Sequence, residues 1–205
     1  GMDIGTATPS PIDRKEVPYH LLDVVDPVEE FTVSAFKERC TAVLADLGDR
    51  GVRGVLVGGT GLHVRAVVDN LDIPGRFKEV REGLETESDT AVLYSRLNAL
   101  DPVAAERMES SNRRRIVRAL EVCIGSGHPF SSLGPGLDHY PSTPFTQVGI
   151  RLPRPEVDRR IAERYERQVS EGFVEEVASL AARPGGLSRS ASQALGYRQV
   201  LDHLE

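Results

Sequence analysis

The sequence predicts an α/β protein in which helices cover a parallel sheet, with a helical insert between parts of the sheet. Two short apolar runs, residues 19–25 and 54–59, have the length and flanking turn signals of strands. A helical pattern follows each run, and alternating strands and helices are typical of a parallel sheet covered by helices. A third run, residues 145–152, predicts a return to the sheet.

The first helix is predicted from a change in apolar spacing after residue 32. Apolar residues then recur at intervals of three and four, which places them on one helix face. They are Phe36, Cys40, Val43, Leu44 and Leu47. Thr32 or Ser34 can cap the start of this helix, and Gly48 ends it. A second helix is expected from about Thr60.

Three regions follow from this pattern. Residues 1–72 form the first part of the α/β core. Residues 73–127 contain no predicted strand and form a helical insert, in which Asp101 caps a helix that begins with Pro102. Residues 128–205 begin with a loop rich in Pro, Gly and Ser and return to the core through the strand at 145–152. Helices then complete the chain.

Composition narrows the class of protein. The chain has 205 residues, 40% hydrophobic and 27% charged, which fits one globular domain or a domain with an insert. It has no apolar run long enough to span a membrane and no leader, so we expect a cytoplasmic protein. Cys40 and Cys123 lie on apolar helix stripes and are expected to be buried free thiols. The net charge of −6 does not favour nucleic acid overall, although the charges are unevenly spread.

A glycine pair marks the first candidate site. Gly58 and Gly59 end the strand predicted at 54–59, immediately before the helix expected from Thr60. Ligands of open parallel sheets bind beyond the carboxyl ends of the strands, and a helix N-terminus favours anions. Glycines let a phosphate approach the backbone, and the Thr60 hydroxyl can donate to it. The alternative is a helix cap at a tight turn.

Arginines on the helix predicted at 112–124 form the second candidate site. At about 3.6 residues per turn, Arg114 and Arg118 share a face and Arg115 lies beside it. Such a patch in an acidic protein indicates contact with phosphate or RNA. The opposite face is apolar and comprises Ile116, Leu120 and Cys123. The alternative is a solvated face whose charge is balanced by Glu106, Glu109 and Glu121.

The third candidate site is the sequence Ala-Leu-Gly-Tyr-Arg-Gln at residues 194–199. Gly196 interrupts a helical pattern there, at a cost of about 1 kcal/mol relative to alanine. A glycine at this position allows another backbone or a ligand to approach closely. The alternative is a helix break followed by an exposed Arg198.

Several stretches, in order along the chain, resemble the tRNA dimethylallyltransferases, also called tRNA isopentenyltransferases. They are GMDIGTATP at residues 1–9, VPYHLLDVVDPVEEFTVSAF at 17–36, VLVGGTGLH at 55–63, LDPVAAERM at 100–108, NRRRIVRALEV at 112–122 and ALGYRQVLDHL at 194–204. The resemblance implies a core similar to P-loop NTPases, with a helical insert that grips a tRNA anticodon stem-loop.

The resemblance also implies an activity. The N6 amine of the adenosine adjacent to the anticodon attacks the first carbon of dimethylallyl diphosphate, pyrophosphate leaves, and Mg²⁺ assists. Thr60, beside Gly58 and Gly59, matches a threonine near the diphosphate, and Arg198 matches an arginine that supports the leaving pyrophosphate. The tRNA-binding positions implied are Arg81, Arg114, Arg115, Arg118, Gln193, Gly196 and Tyr197. The residues that would bind Mg²⁺ are unknown, and we expect a monomer.

The chain also departs from the family pattern. Members carry a P-loop near the N-terminus and then a strand with an Asp proposed as general base, and neither occurs here. We therefore expect a fragment that lacks the N-terminal strands, the P-loop and the C-terminal end, and that is inactive alone. Substituted positions include Thr8, where Lys is usual, His63, where Tyr is usual, and Arg114, where Gln is usual.

Two other functions remain open from the sequence. The chain can be a non-catalytic RNA-binding fragment that uses the helical insert. It can also be a relative of P-loop small-molecule kinases, although the missing P-loop and the long insert argue against this alternative.

Overall fold

The computed structural model describes residues 1–134 and 139–204. The chain divides into two compact units. The first unit contains Gly1–Val57 and the residues from Thr146 onward, and the second unit contains Gly58–Phe145. Each is described below by itself.

The described residues are mainly helical. In chain order the helices are α1 (Asp13–Glu16), α2 (Val33–Asp49), α3 (Gly61–Val68), α4 (Lys78–Glu85), α5 (Thr90–Leu100), α6 (Pro102–Glu106), α7 (Arg113–Ser126), α8 (Arg154–Ser170), α9 (Phe173–Ala181), α10 (Arg189–Ser192) and α11 (Tyr197–Leu204). A 3₁₀ turn, Phe130–Leu133, follows α7. No helix in this part of the chain has both the length and the apolar character needed to cross a membrane.

The capping signals in the sequence form as predicted. The Thr32 hydroxyl accepts a hydrogen bond from the Ala35 N–H at 3.2 Å and starts α2. Asp101 accepts from the Ala104 N–H at 3.0 Å, and Pro102 occupies the first position of α6. Each cap satisfies a backbone donor that the helix cannot satisfy itself.

The strands predicted at 19–25, 54–59 and 145–152 are not confirmed, because none of these residues forms a β-strand. In the first segment, Leu21 and Asp23 have positive φ angles of 62° and 51°, which turn the chain instead of extending it. The other two segments have no neighbouring strand to pair with in this part of the chain. A β-branched apolar run becomes a strand only when a partner satisfies its backbone.

The unpaired segments leave large apolar side chains in solvent. Val55 and Val57 are 80% and 87% exposed, and Val148 and Ile150 are 85% and 89% exposed. Both pairs show the period of two that is typical of a strand face.

The core of the second unit lies between α4, α5, α6 and α7. The residues predicted to form the apolar face of α7, Ile116, Leu120 and Cys123, are all buried there. Leu93 and Leu97 of α5 pack in the same cluster. The prediction that Cys123 is a buried free thiol is confirmed, and Cys40 in α2 is likewise buried and unbonded.

A smaller core in the first unit lies between α9 and α11. Phe173 and Tyr197 meet edge to face, with ring centroids 5.1 Å apart and planes at 82°. Val177 and Leu180 complete the buried cluster. Along α8, Tyr165 belongs to an apolar stripe with four-residue spacing that lies mostly at the surface.

Replacing Gly125 by alanine should destabilise the protein. A Cβ at this position in α7 would lie 2.0 Å from Cγ of Phe77, so the ring would have to move. Overpacking of this kind costs about 1–3 kcal/mol and should lower the thermal unfolding midpoint.

Gly83→Ala is the matched control. Gly83 is exposed inside α4, and no atom lies within 4 Å of an added Cβ. Alanine is favoured over glycine in a helix by about 1 kcal/mol, so this midpoint should stay level or rise. Equal midpoints for the two variants would contradict the close packing of Phe77 on α7.

Candidate functional site

The glycine-rich turn before α3 is open to solvent. Thr60 is the N-cap of α3, but its side chain makes no capping hydrogen bond. Gly58, Gly59 and Thr60 are all exposed. An added Cβ would meet nothing within 4 Å at Gly59 or Gly61 and only a side-chain methyl at 4.0 Å at Gly58. The hydroxyl and the first-turn N–H groups of α3 therefore face space that an anion can enter.

The body of α3 is firmly held within the second unit. Its residues Ala66, Val67 and Val68 are buried. Arg65 forms an ion pair with Asp69 at 2.5 Å and lies over the Tyr140 ring, 4.4 Å from its centroid. The solvent-exposed N-terminus of α3 is thus held in place by the buried C-terminal half of the helix.

The arginines of the predicted patch fall into two groups, those that are exposed and one that is hydrogen-bonded within the second unit. Arg114 and Arg115 are exposed at the start of α7, and the described residues give neither an ion pair. Arg118 donates to the carbonyls of Pro74 and Gly75 at 2.8 and 3.0 Å. Two of the predicted contacts therefore remain available to a ligand, and the third already holds the segment before α4.

A buried carboxylate explains where Arg118 and Arg81 are directed. Glu121 is 1% exposed and accepts the Phe77 N–H at 2.9 Å. Arg118 and Arg81 approach its two oxygens at 2.8 and 3.2 Å. The alternative that Glu121 balances a solvated face is wrong, because this residue lies on the buried side of α7 and joins α7 to α4.

The third candidate site is built around a glycine with a left-handed backbone. Gly196 has a φ angle of 89°, and its N–H donates to the Gln199 side chain at 2.9 Å. Tyr197 then begins α11 and is fully buried, whereas Arg198 and Gln193 are both exposed. Of the residues predicted here, Arg198 and Gln193 can reach a ligand, and Gly196 and Tyr197 shape the turn that carries them.

Tyr197 is held by a carboxylate that the sequence analysis did not single out. Its hydroxyl donates to Glu176 at 2.5 Å. Burial, together with this carboxylate, raises the pKa of Tyr197. Burial alone would also raise the pKa of Glu176, but the bonds from Tyr197 and three backbone N–H groups outweigh it and lower that pKa. Glu176 is therefore an anion at neutral pH.

Glu121 and Glu176 share a signal that can be read in the sequence. Each is a glutamate on the apolar side of a helical pattern, beside Leu120 in α7 and beside Val177 in α9. A charged residue at such a position must find partners, because burying an unpaired charge is costly. The identity of the partners depends on the fold.

The predicted site residues fall into both units. The second unit holds Gly58, Gly59, Thr60, Arg81, Arg114, Arg115 and Arg118. The first unit holds Gln193, Gly196, Tyr197 and Arg198. Residues 1–134 and 139–204 contain no cluster of three or more His, Cys, Asp or Glu side chains suited to a metal ion.

Comparisons with known proteins identify the family. The family model described as IPP transferase matches residues 1–205. A tRNA dimethylallyltransferase from Thermobifida fusca is 45% identical over 207 residues, covering 100% of this chain and 64% of its own length. One from Bifidobacterium adolescentis is 44% identical over 209 residues, covering 100% of this chain and 60% of its own length. The chain thus spans less than two thirds of the length of these relatives.

Solved structures agree with the sequence matches. A tRNA isopentenylpyrophosphate transferase from Bacillus halodurans has a TM-score of 0.62 and 32% identity, covering 99% of this chain and 64% of that one. A eukaryotic dimethylallyltransferase acting on tRNA has a TM-score of 0.67 at 21% identity, covering 88% and 46%, and shows a shared fold. The chain therefore belongs to the IPP transferase family.

Proposed function

We propose that this chain is the part of a tRNA dimethylallyltransferase that binds the diphosphate and the tRNA. The observation that carries the proposal is the exposed turn at Gly58–Thr60, in a chain that matches the family over all its residues. The reaction transfers a dimethylallyl group from dimethylallyl diphosphate to the N6 amine of the adenosine adjacent to the anticodon. A bond forms from nitrogen to the first carbon of the prenyl group, the carbon–oxygen bond breaks, and pyrophosphate leaves.

The proposed diphosphate contacts suit the charge that develops in this reaction. Negative charge grows on the oxygen that leaves with pyrophosphate, and preorganised donors at that oxygen lower the barrier. The Thr60 hydroxyl makes no capping bond, so it and the N–H groups at the start of α3 can donate to a ligand. Arg198 supplies a permanent positive charge. The family resemblance implies that Mg²⁺ assists the reaction, and this stays a prediction.

The proposed tRNA contacts follow the exposure of the side chains. Arg114, Arg115 and Gln193 reach solvent and are assigned direct contact with the anticodon stem-loop. Arg81 and Arg118 are partly buried on Glu121, so we assign them the role of fixing the surface around α7. We likewise assign Gly196 and Tyr197 a structural role, which is to shape the turn that follows Gln193.

The remaining expectations belong to the same proposal. The exposed apolar residues at 55–57 and 148–150 suit strands of a P-loop-like parallel sheet in the complete enzyme, with residues 73–127 as its helical insert. A cytoplasmic location is proposed because the proposed substrate is tRNA, and the expected monomer stays a prediction. A non-catalytic RNA-binding fragment is the second candidate, favoured by the two arginines exposed on α7.

Substitution of the diphosphate contacts should lower prenyl transfer. Thr60→Ala and Arg198→Ala each remove a donor proposed to stabilise the leaving pyrophosphate, and loss of one such donor typically costs about 10²–10³ in kcat. The measurement is transfer from labelled dimethylallyl diphosphate to an anticodon stem-loop, with and without an N-terminal extension of the chain carrying a P-loop.

The Thermobifida fusca relative serves as the positive control for that assay. Ser132→Ala is the matched variant, because it removes a hydroxyl that donates to the Pro129 carbonyl on an exposed turn. Transfer at the unsubstituted rate by the Thr60 variant would contradict its role. Stem-loop binding without transfer by the extended chain would favour the second candidate.

Removing the exposed arginines should weaken tRNA binding and flatten its salt dependence. Removal of one arginine that binds a phosphate should reduce the slope of log K against log salt by about 1. The double variant Arg114→Ala with Arg115→Ala should therefore reduce the slope by about two units if both side chains bind phosphate. Fluorescence anisotropy with a labelled stem-loop at several salt concentrations measures this.

The control for charge removal alone is the double variant Arg53→Ala with Arg96→Ala. Both arginines are exposed and lie outside α7. If this pair changes the slope as much as the α7 pair does, binding depends on total charge and not on the proposed surface.

A further inference from the structure

We propose that Glu176 is a positioning residue for the reaction proposed above. Its carboxylate fixes the loop Asp3–Gly5, here called the N-terminal loop, and the start of α11 that carries Arg198. The inference rests on the proposed function for its effect on activity, whereas the attachment itself can be measured independently.

Three successive backbone N–H groups converge on this one carboxylate. The N–H groups of Asp3 and Ile4 donate to Oε2 of Glu176 at 2.8 and 2.9 Å, and that of Gly5 donates to Oε1 at 3.4 Å. Consecutive N–H groups pointing to one place form a concave binding site for an anion. In this protein the anion comes from α9, so the loop conformation depends on a negative charge at position 176.

The carbonyl groups of the N-terminal loop are also bonded, and the Asp3 side chain remains exposed to solvent. The Gln168 amide donates to the carbonyls of Ile4 and Gly5 at 2.7 and 3.2 Å. At Gly5, an added Cβ would lie 2.3 Å from the Phe173 ring and 2.4 Å from the Tyr197 ring. The backbone of the loop therefore lies directly on α8, α9 and α11, and the Asp3 side chain is exposed.

The same carboxylate determines the position of Arg198. Oε1 of Glu176 accepts the Tyr197 hydroxyl at 2.5 Å, and Tyr197 is the first residue of α11. The exposed Arg198 is its chain neighbour, and the N–H of Arg198 donates to the Ala194 carbonyl at 3.2 Å. A shift of the Tyr197 ring would consequently move the backbone that carries the Arg198 guanidinium. Catalytic groups must be held to within a fraction of an ångström, so such a shift should reduce turnover.

Glu176→Gln tests the requirement for the charge at nearly constant shape. The amide replaces one acceptor oxygen with a donor, which cannot accept from a backbone N–H or from the Tyr197 hydroxyl. Amide hydrogen exchange of the 205-residue chain should show residues 3–5 exchanging about tenfold faster or more. Tyr197→Phe keeps the ring and removes one bond, so it should produce a smaller increase.

Glu175→Gln is the matched control, because it is the same change one residue earlier at an exposed position of α9. Exchange at residues 3–5 should remain as in the unsubstituted chain. If Glu176→Gln leaves these amides as protected as before, the proposed attachment is wrong. An equal decrease of protection in Glu175→Gln would also overturn it.

The kinetic readout separates positioning from general loss of structure. In the extended chain assayed for prenyl transfer, Glu176→Gln should lower kcat by about tenfold or more, with the KM for the stem-loop unchanged. Unchanged kcat in an active protein would overturn the positioning role. Absence of transfer in the unsubstituted protein would instead count against the proposed function, while hydrogen exchange would still test the attachment.

Discussion

Backbone polar groups outside helices need hydrogen-bond partners, and at two loops of this protein side chains from helices supply them. An unpaired buried N–H or C=O costs about as much as a lost hydrogen bond. In the first unit, Glu176 accepts the N–H groups of the N-terminal loop and Gln168 donates to its carbonyls. In the second unit, Glu121 accepts the Phe77 N–H and Arg118 donates to the Pro74 carbonyl. Both units thus use charged or amide side chains where a sheet would use neighbouring strands.

This constraint divides residues of one chemical type into two groups. Arg118 and Arg81 are directed at Glu121, so their positive charges are largely compensated within the second unit. Arg114 lies on the same helix as Arg118 but is exposed. The ion pairs of Arg118 and Arg81 with Glu121 are costly to break, because removal of the arginines leaves the buried Glu121 carboxylate unpaired. The charge of the arginine patch that can act on a polyanion is therefore smaller than the sequence suggests.

The helices could be predicted from the sequence because their signals are local. The cap at Thr32 and the Asp101–Pro102 start need only residues within one turn, and both form as expected. Strands depend on partners that are distant in sequence, so Val57 and Ile150 carry the strand pattern without the strand. The backbone N–H groups that Glu176 accepts in the N-terminal loop lie more than 170 residues away in sequence. The glycine turn before Thr60 can be predicted from the sequence, whereas the attachment of the N-terminal loop to Glu176 cannot.

Thr60 and Arg198, the two residues that the family resemblance assigns to the leaving diphosphate, have side chains that the fold leaves open to solvent. Thr60 stands at an N-cap, where a side-chain bond would stabilise the helix by about 1 kcal/mol, yet it makes none. Arg198 is exposed beside a fully buried Tyr197, so one residue is anchored and the next is presented. A hydroxyl or guanidinium already bonded within the protein would have to break that bond before it could bind diphosphate. Leaving these donors open, on backbone that neighbouring residues hold rigid, avoids that cost when the ligand binds.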